Sequence, residues 1–132
     1  MPRPAIRLAG YAALFDRLDR SGDIIRHGAF ERTLAGGVAL PLLWQHRPGE
    51  AIGRIVHASE DRRGLRVIAE LAANAGEAMD RLRDGSVTGL SFGYRVHRRR
   101  GTRPRELLDV DLVEVSLVTV PMMPGARVHM LV

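Results

Sequence analysis

Three residues of this 132-residue chain have the chemistry of a hydrolytic relay: His46, Ser91 and Glu114. A serine hydroxyl becomes a useful nucleophile only when a neighbouring base takes its proton, and the base works best when a third group orients it. Ser91 sits in VTGLSFGYRV, residues 87–96, where Leu90, Phe92, Tyr94 and Val96 alternate with Gly89, Ser91, Gly93 and Arg95. Alternation places Ser91 on the face opposite the larger apolar residues, with a glycine two positions away on each side leaving space above it. The Gly-x-Ser-x-Gly spacing matches the hydrolase nucleophile elbow, but that motif needs a strand–turn–helix context. Here the pattern continues as strand, so the elbow is rejected. The competing reading is a strand serine beside packing glycines.

His46 ends the apolar run VALPLLWQH, just before the Arg47-Pro48-Gly49 turn. In an extended conformation it shares a face with Leu40, Leu42 and Trp44. Glu114 lies in DVDLVEVSLVTV, residues 109–120, with Leu112, Ser116, Val118 and Val120 on one face and Val113, Val115, Leu117 and Thr119 on the other. Such a strand reads as buried on both sides. An ionised carboxylate inside it is costly without a partner. A histidine would serve, and so would one of the many arginines near a rim. Of the other histidines, His57 lies in a strand and is the main rival base. His27 lies in a turn-rich block, His97 lies beside arginines that disfavour its protonation, and His129 is near the C-terminus. No pair of histidines has metal-ligand spacing, so neither a catalytic metal nor a cofactor is expected.

The elements that must position these groups are mostly strands. Period-two patterning marks residues 5–15, 38–46, 51–59, 64–72, 87–98, 107–120 and 127–132. A short helix is expected over 29–34, ended by Gly36-Gly37, and a second after Asn74, which with Glu77 makes a capping box and is closed by Gly85. The fold class is therefore mainly β with flanking helices (α+β): a compact antiparallel barrel of about seven strands, in one domain spanning residues 1–132. The chain has no cysteine, which excludes disulfides and thiol nucleophiles. It has neither an apolar run long enough to cross a membrane as a helix nor a signal-peptide pattern.

Its net charge of +5 is local. Residues 95–105, RVHRRRGTRPR, contain six of the twenty basic residues and no acid, while the remainder holds fourteen arginines against fifteen acids. The segment reads as a solvated, arginine-rich loop. A nucleic-acid-binding β-barrel is the alternative, disfavoured because no aromatic stacking residue lies within the basic run.

Six blocks in order resemble the prohead (procapsid maturation) proteases of HK97-type phages and related gene transfer agents. They are GYAALFD, DRSGDIIRHGAF, PLLWQHRPGEAIGRI, GLRVIAEL, LRDGSVTGLSFGYRV and LVEVSLVTVPMMPGA. The resemblance implies a serine endopeptidase with a fold similar to the herpesvirus assemblins, His46 as base and Ser91 as nucleophile. It makes Glu114 the third member, and by looser analogy places the oxyanion site at Gly125, Ala126 and Arg127. Met122-Met123 departs from the Ala-Asn usual in the last block. The implied substrates are the major capsid protein and its scaffolding segment, cut inside an assembling procapsid in the bacterial cytoplasm. Self-cleavage and a homodimer are compatible with the resemblance. A non-catalytic structural homologue is the other alternative.

Overall fold

The structure is a computed structural model describing residues 6–37 and 39–131. Eight strands form one curled sheet: β1 (Ile6–Leu14), β2 (Asp23–Ile25), β3 (Pro41–Trp44), β4 (Ala51–Glu60), β5 (Gly64–Leu71), β6 (Gly89–Arg100), β7 (Arg105–Val118) and β8 (Val128–Leu131). The short helices α1 (Glu31–Ala35) and α2 (Glu77–Arg83) lie between them. From β7 the sheet runs β3, β4, β5, β1, β8, with β6 on the other edge of β7. β4, β5 and β1 pair antiparallel in that spatial order.

The sheet is mainly antiparallel, and its parallel pairings lie at β7. Both β2 and β3 pair with it in parallel, at Asp23↔Arg105 and Leu42↔Val115 respectively. β7 has 14 residues, so one edge accommodates two short strands end to end while the other carries β6 along its whole length. The ends of the sheet are drawn together by residues 126–128. Leu90 N–H donates to Ala126 O at 3.0 Å, Val128 N–H to Thr88 O at 2.8 Å, and Tyr11 N–H to Arg127 O at 3.1 Å. This approach requires a glycine at position 10, where a Cβ would overlap Arg127 O and meet Val128 Cα at 2.9 Å.

Inside the curl lie Leu8, Leu42, Leu65, Val67, Leu71, Leu90, Val115 and Leu117, all fully or nearly fully buried. Phe30 stands edge-on to Phe92 at 5.2 Å between ring centres and fixes the turn before α1 against the sheet. The Glu60 carboxylate accepts the N–H groups of Gly28 and Phe30, each at 2.8 Å, and so holds that turn from across the fold.

Three local expectations change. α2 begins at Glu77 with Gly76 at its N-cap and no side-chain cap, because Ala72–Ala75 is already a tight turn (Ala75 N–H to Ala72 O, 3.1 Å). Asn74 is therefore too early to cap it. The arginine-rich connection is shorter than expected: β6 continues past residue 98 to Arg100 and β7 already starts at Arg105, which leaves 101–104 between them. Arg100 and Arg105 are not free there, since they pair with Glu106 at 2.8 Å and Asp23 at 2.7 Å. Val113, expected on a buried face, is 45% exposed, because the β6–β7 register slips between Gly93↔Glu114 and Tyr94↔Leu112.

Candidate active site

The β6–β7 hairpin sets two of the three groups. Ser91 lies opposite Ser116, and Gly93 lies opposite Glu114. Ser91 and Glu114 are therefore diagonal neighbours on one face of the hairpin. The bulge at Val113 falls immediately beside Glu114, and bulges of this kind commonly re-aim a side chain next to a site.

Gly93 does not leave room above the serine, as its position in Gly-x-Ser-x-Gly suggested. The carboxylate occupies that room: a Cβ on Gly93 would stand 2.5 Å from Glu114 Oε1 and 2.9 Å from its Cγ. Gly89 is needed for a different approach, since its Cβ would meet Val118 O at 2.7 Å and Pro121 Cδ at 2.9 Å.

His46 arrives by a route the sequence did not suggest. β3 ends at Trp44, and Gln45 and His46 then adopt left-handed backbone conformations, φ 54° and 59°. Two consecutive non-glycine residues in this region cost on the order of 1–2 kcal/mol each. Long-range hydrogen bonds offset that strain. Gln45 N–H donates to Leu117 O at 3.0 Å, and its side-chain amide exchanges bonds with Thr119 Oγ1 (2.7 Å) and Thr119 N–H (3.1 Å). His46 N–H donates to Ser116 Oγ at 3.1 Å. The turn sends the imidazole back over β7, where Nδ1–H donates to Glu114 Oε1 at 2.6 Å.

Glu114 is only 8% exposed, and both of its oxygens are satisfied. Oε1 takes the imidazole, and Oε2 takes the hydroxyl of the fully buried Ser116 at 2.6 Å. The partner of the buried carboxylate is thus the histidine and not an arginine. This bond raises the His46 pKa above its ordinary 6.5, against the opposing effect of burial. It also fixes the neutral tautomer with hydrogen on Nδ1, leaving Nε2 as an acceptor.

Ser91 and His46 line the same cavity, of about 190 Å³, together with Phe92, Tyr94, Met122 and Met123. Ser91 is 3% exposed as a residue, and its hydroxyl makes no hydrogen bond among the described residues. Among the described residues no fully enclosed side-chain polar atom lacks a partner, so the Ser91 oxygen is accessible, and Ser91 lines the cavity. A nearly buried, uncommitted hydroxyl and a carboxylate-braced imidazole on one cavity have the chemistry that proton transfer from the hydroxyl would need.

Gly125, Ala126 and Arg127 do not line this cavity. Ala126 N–H is already donated to Met123 O at 3.0 Å, and Arg127 faces β1 through its bond with Tyr11. From that loop it is Met122 and Met123 that reach the cavity. The other histidines stand apart: His57 is on β4, His129 is on β8 near Tyr11, and His27 lies against Phe15. His97 is exposed on β6. Among the described residues no group of acids and histidines is arranged to hold a metal ion, and no helix is long and apolar enough to cross a membrane. Ser116 is the participant that sequence reading missed. Its two-residue spacing from Glu114 placed it on the correct face, but nothing in the sequence marked it as the shared partner of Glu114 and the His46 backbone.

The fold is shared with several viral proteases. The herpesvirus KSHV protease superposes with a TM-score of 0.65 at 13% identity, over 98% of this chain and 65% of that one. The varicella-zoster virus protease gives 0.63 at 17% identity, over 96% and 64%. The bacteriophage T4 capsid assembly protease gives 0.70 at 14% identity, over 88% and 82%. The chain belongs to the caudovirus prohead serine protease family, whose description matches residues 3–132. It is 34% identical over 92 residues to the prohead protease of Enterobacteria phage HK97, covering 66% of this chain and 41% of that protein. It is also 31% identical over 94 residues to the capsid polyprotein of Pseudomonas phage PAJU2, covering 62% of this chain and 14% of that protein. The chain thus spans less than half the length of each of these relatives.

Proposed function

We propose that this chain is a serine endopeptidase that cuts capsid-protein or scaffold segments during procapsid maturation, using Ser91, His46 and Glu114. The observation that carries the reading is the 2.6 Å bond from His46 Nδ1 to Glu114, made beside a cavity onto which the uncommitted Ser91 hydroxyl opens. His46 Nε2 takes the Ser91 proton as the oxygen attacks the peptide carbonyl. Glu114 stabilises the imidazolium, which then protonates the leaving amine. Water, deprotonated by the same imidazole, hydrolyses the acyl-enzyme. The oxyanion would be received by backbone amides. With Ala126 N–H committed, the best-placed donor is Phe92 N–H. Leu90 N–H points away from β7 to Ala126 O, and strand alternation turns Phe92 N–H to that same edge, past the end of the 126–128 pairing.

The HK97 relative is a prohead protease and the PAJU2 relative is a capsid polyprotein, which supports a capsid-protein substrate and action inside the procapsid. The test is co-expression with the capsid precursor and intact-mass measurement of the product. Shortening by wild type and full-length precursor with Ser91→Ala is expected. Equal shortening by both would remove Ser91 from the mechanism. Full-length precursor in both, with no fluorophosphonate labelling, would favour a non-catalytic role.

A further inference from the structure

We infer that Asp19 is a specificity residue which selects a lysine or arginine side chain of the substrate next to the scissile bond. The inference rests on Ser91 acting as nucleophile. It begins from the wall of the Ser91–His46 cavity contributed by residues 19–23, the loop entering β2, and by Arg105.

Two carboxylates lie there, and they are not equivalent. Asp23 is held by both nitrogens of the Arg105 fork, at 2.8 and 2.7 Å, so its charge is compensated within the fold. Asp19 is 7% exposed and forms no ion pair among the described residues. Its Oδ1 accepts three hydrogen bonds: Ser21 N–H at 2.9 Å, Ser21 Oγ–H at 2.7 Å and Asp23 N–H at 2.9 Å. Its Oδ2 accepts none among the described residues and is not fully enclosed, and Asp19 lines the cavity.

One neutral oxygen would suffice to hold the loop, so an asparagine would keep all three bonds. The negative charge is surplus to the loop, and burying it without a cation is unfavourable. A cation delivered by the substrate removes that penalty only in the complex, which is how a buried carboxylate in a side-chain pocket yields selectivity. The rest of the lining suits the stem of such a side chain. Ala12, Ile25, Phe92 and Met123 give an apolar wall for methylenes, leaving the charged head to reach Asp19. The wall is held in place: Arg20 N–H donates to Met122 O at 2.9 Å and Arg20 Nε–H to Pro121 O at 3.0 Å, joining the two loops that carry Asp19 and Met123. Hence little ordering accompanies binding.

The experiment uses peptidyl diphenyl phosphonates that differ only in the residue attached to phosphorus, lysine or norleucine. The two stems have the same length and only one is charged. Labelling rates are read by intact mass on the whole chain. The lysine probe is expected to label at least about 30-fold faster, as a site built to satisfy a polar group discriminates against the analogue lacking it. In Asp19→Asn that ratio is expected to fall below about 5-fold. Equal rates in wild type, or faster labelling by norleucine, would overturn the subsite while leaving Ser91 as nucleophile. Failure of both probes and of a simple fluorophosphonate would overturn the catalytic reading itself. If Asp19→Asn does not fold, the wild-type ratio alone decides.

Discussion

Gly93→Ala separates folding from catalysis more cleanly than removal of any catalytic group. The new methyl would lie 2.5 Å from Glu114 Oε1, 2.9 Å from Cγ and 3.1 Å from Cδ. Ordinary contact begins at about 3.4 Å, so the carboxylate has to retreat by roughly 0.9 Å. Every one of these neighbours belongs to a side chain that can rotate, so the backbone need not move. The stability cost should then sit at the low end for overpacking, about 1 kcal/mol, which lowers Tm by roughly 3–4 °C for a chain of this size. The retreating oxygen is the one that holds His46 Nδ1 at 2.6 Å. A displacement near 1 Å at a positioning group costs on the order of 100-fold in kcat. The assay pairs thermal denaturation with cleavage of the co-expressed precursor and with titration of the His46 ring protons by NMR. The expected result is a small Tm shift, a large loss of cleavage, and a His46 pKa that falls back toward its ordinary value. Wild-type cleavage with an unchanged His46 titration would refute the claim that Glu114 needs the space above residue 93.

Ser116→Ala removes the hydroxyl shared by Glu114 Oε2 and His46 N–H. The expected loss is roughly 2–4 kcal/mol of stability, seen as a lower denaturation midpoint, and a 10- to 100-fold drop in kcat with KM little changed. A stability loss alone would make Ser116 merely structural. The rate should also depend on pH through His46. Its folded pKa is raised, and the base works only when neutral, so the acid limb of kcat/KM should lie above 6.5 and move to lower pH in Glu114→Gln. The stability that His46 gains from this pairing is full below its unfolded pKa and fades as pH rises through the folded one, so the Tm difference between wild type and Glu114→Gln should narrow at alkaline pH. At Asp23, the bond from Arg105 is the main cause of a lowered pKa, so its contribution is present above the unfolded value of 3.8 and disappears as pH falls through the folded one. Arg105→Ala should therefore destabilise by roughly 2–3 kcal/mol at neutral pH and by much less in acid, measured by urea denaturation.

How legible each part of the site was depends on how far its contacts reach along the chain. Ser91 and Glu114 belong to one hairpin, and each lies on a face set by the alternation of its own strand, although bulges between the turn and Glu114 decide which residues stand opposite. Strand periodicity alone therefore placed both on chemically meaningful faces, and the six-block resemblance supplied their pairing with His46. The β4–β5 hairpin was equally readable, because its connection is short, whereas the pairing of β5 with the distant β1 was not. Arg99 and Arg100 misled for a related reason: charge density suggested a loop beyond residue 98, while cross-strand partners such as Glu106 for Arg100 allow an exposed ribbon to carry the same residues.

His46 belongs to a different category. It is 68 positions from its carboxylate, and the elements joining them pair in parallel, a contact that no local pattern specifies. The sequence does place it after an apolar run, and an extended backbone there was the natural expectation. What overrides local preference is a set of tertiary bonds from Leu117, Thr119 and Ser116 that make a left-handed pair tolerable without glycine. The same bonds explain why the strained turn coincides with the histidine that pairs with Glu114. A glycine at 45 would adopt the conformation at lower cost but would forfeit the amide that grips Thr119, and so loosen the next residue. Strain at Gln45–His46 is thus tied to the precision with which the imidazole is aimed. A chain selected for stability alone would have no reason to retain it.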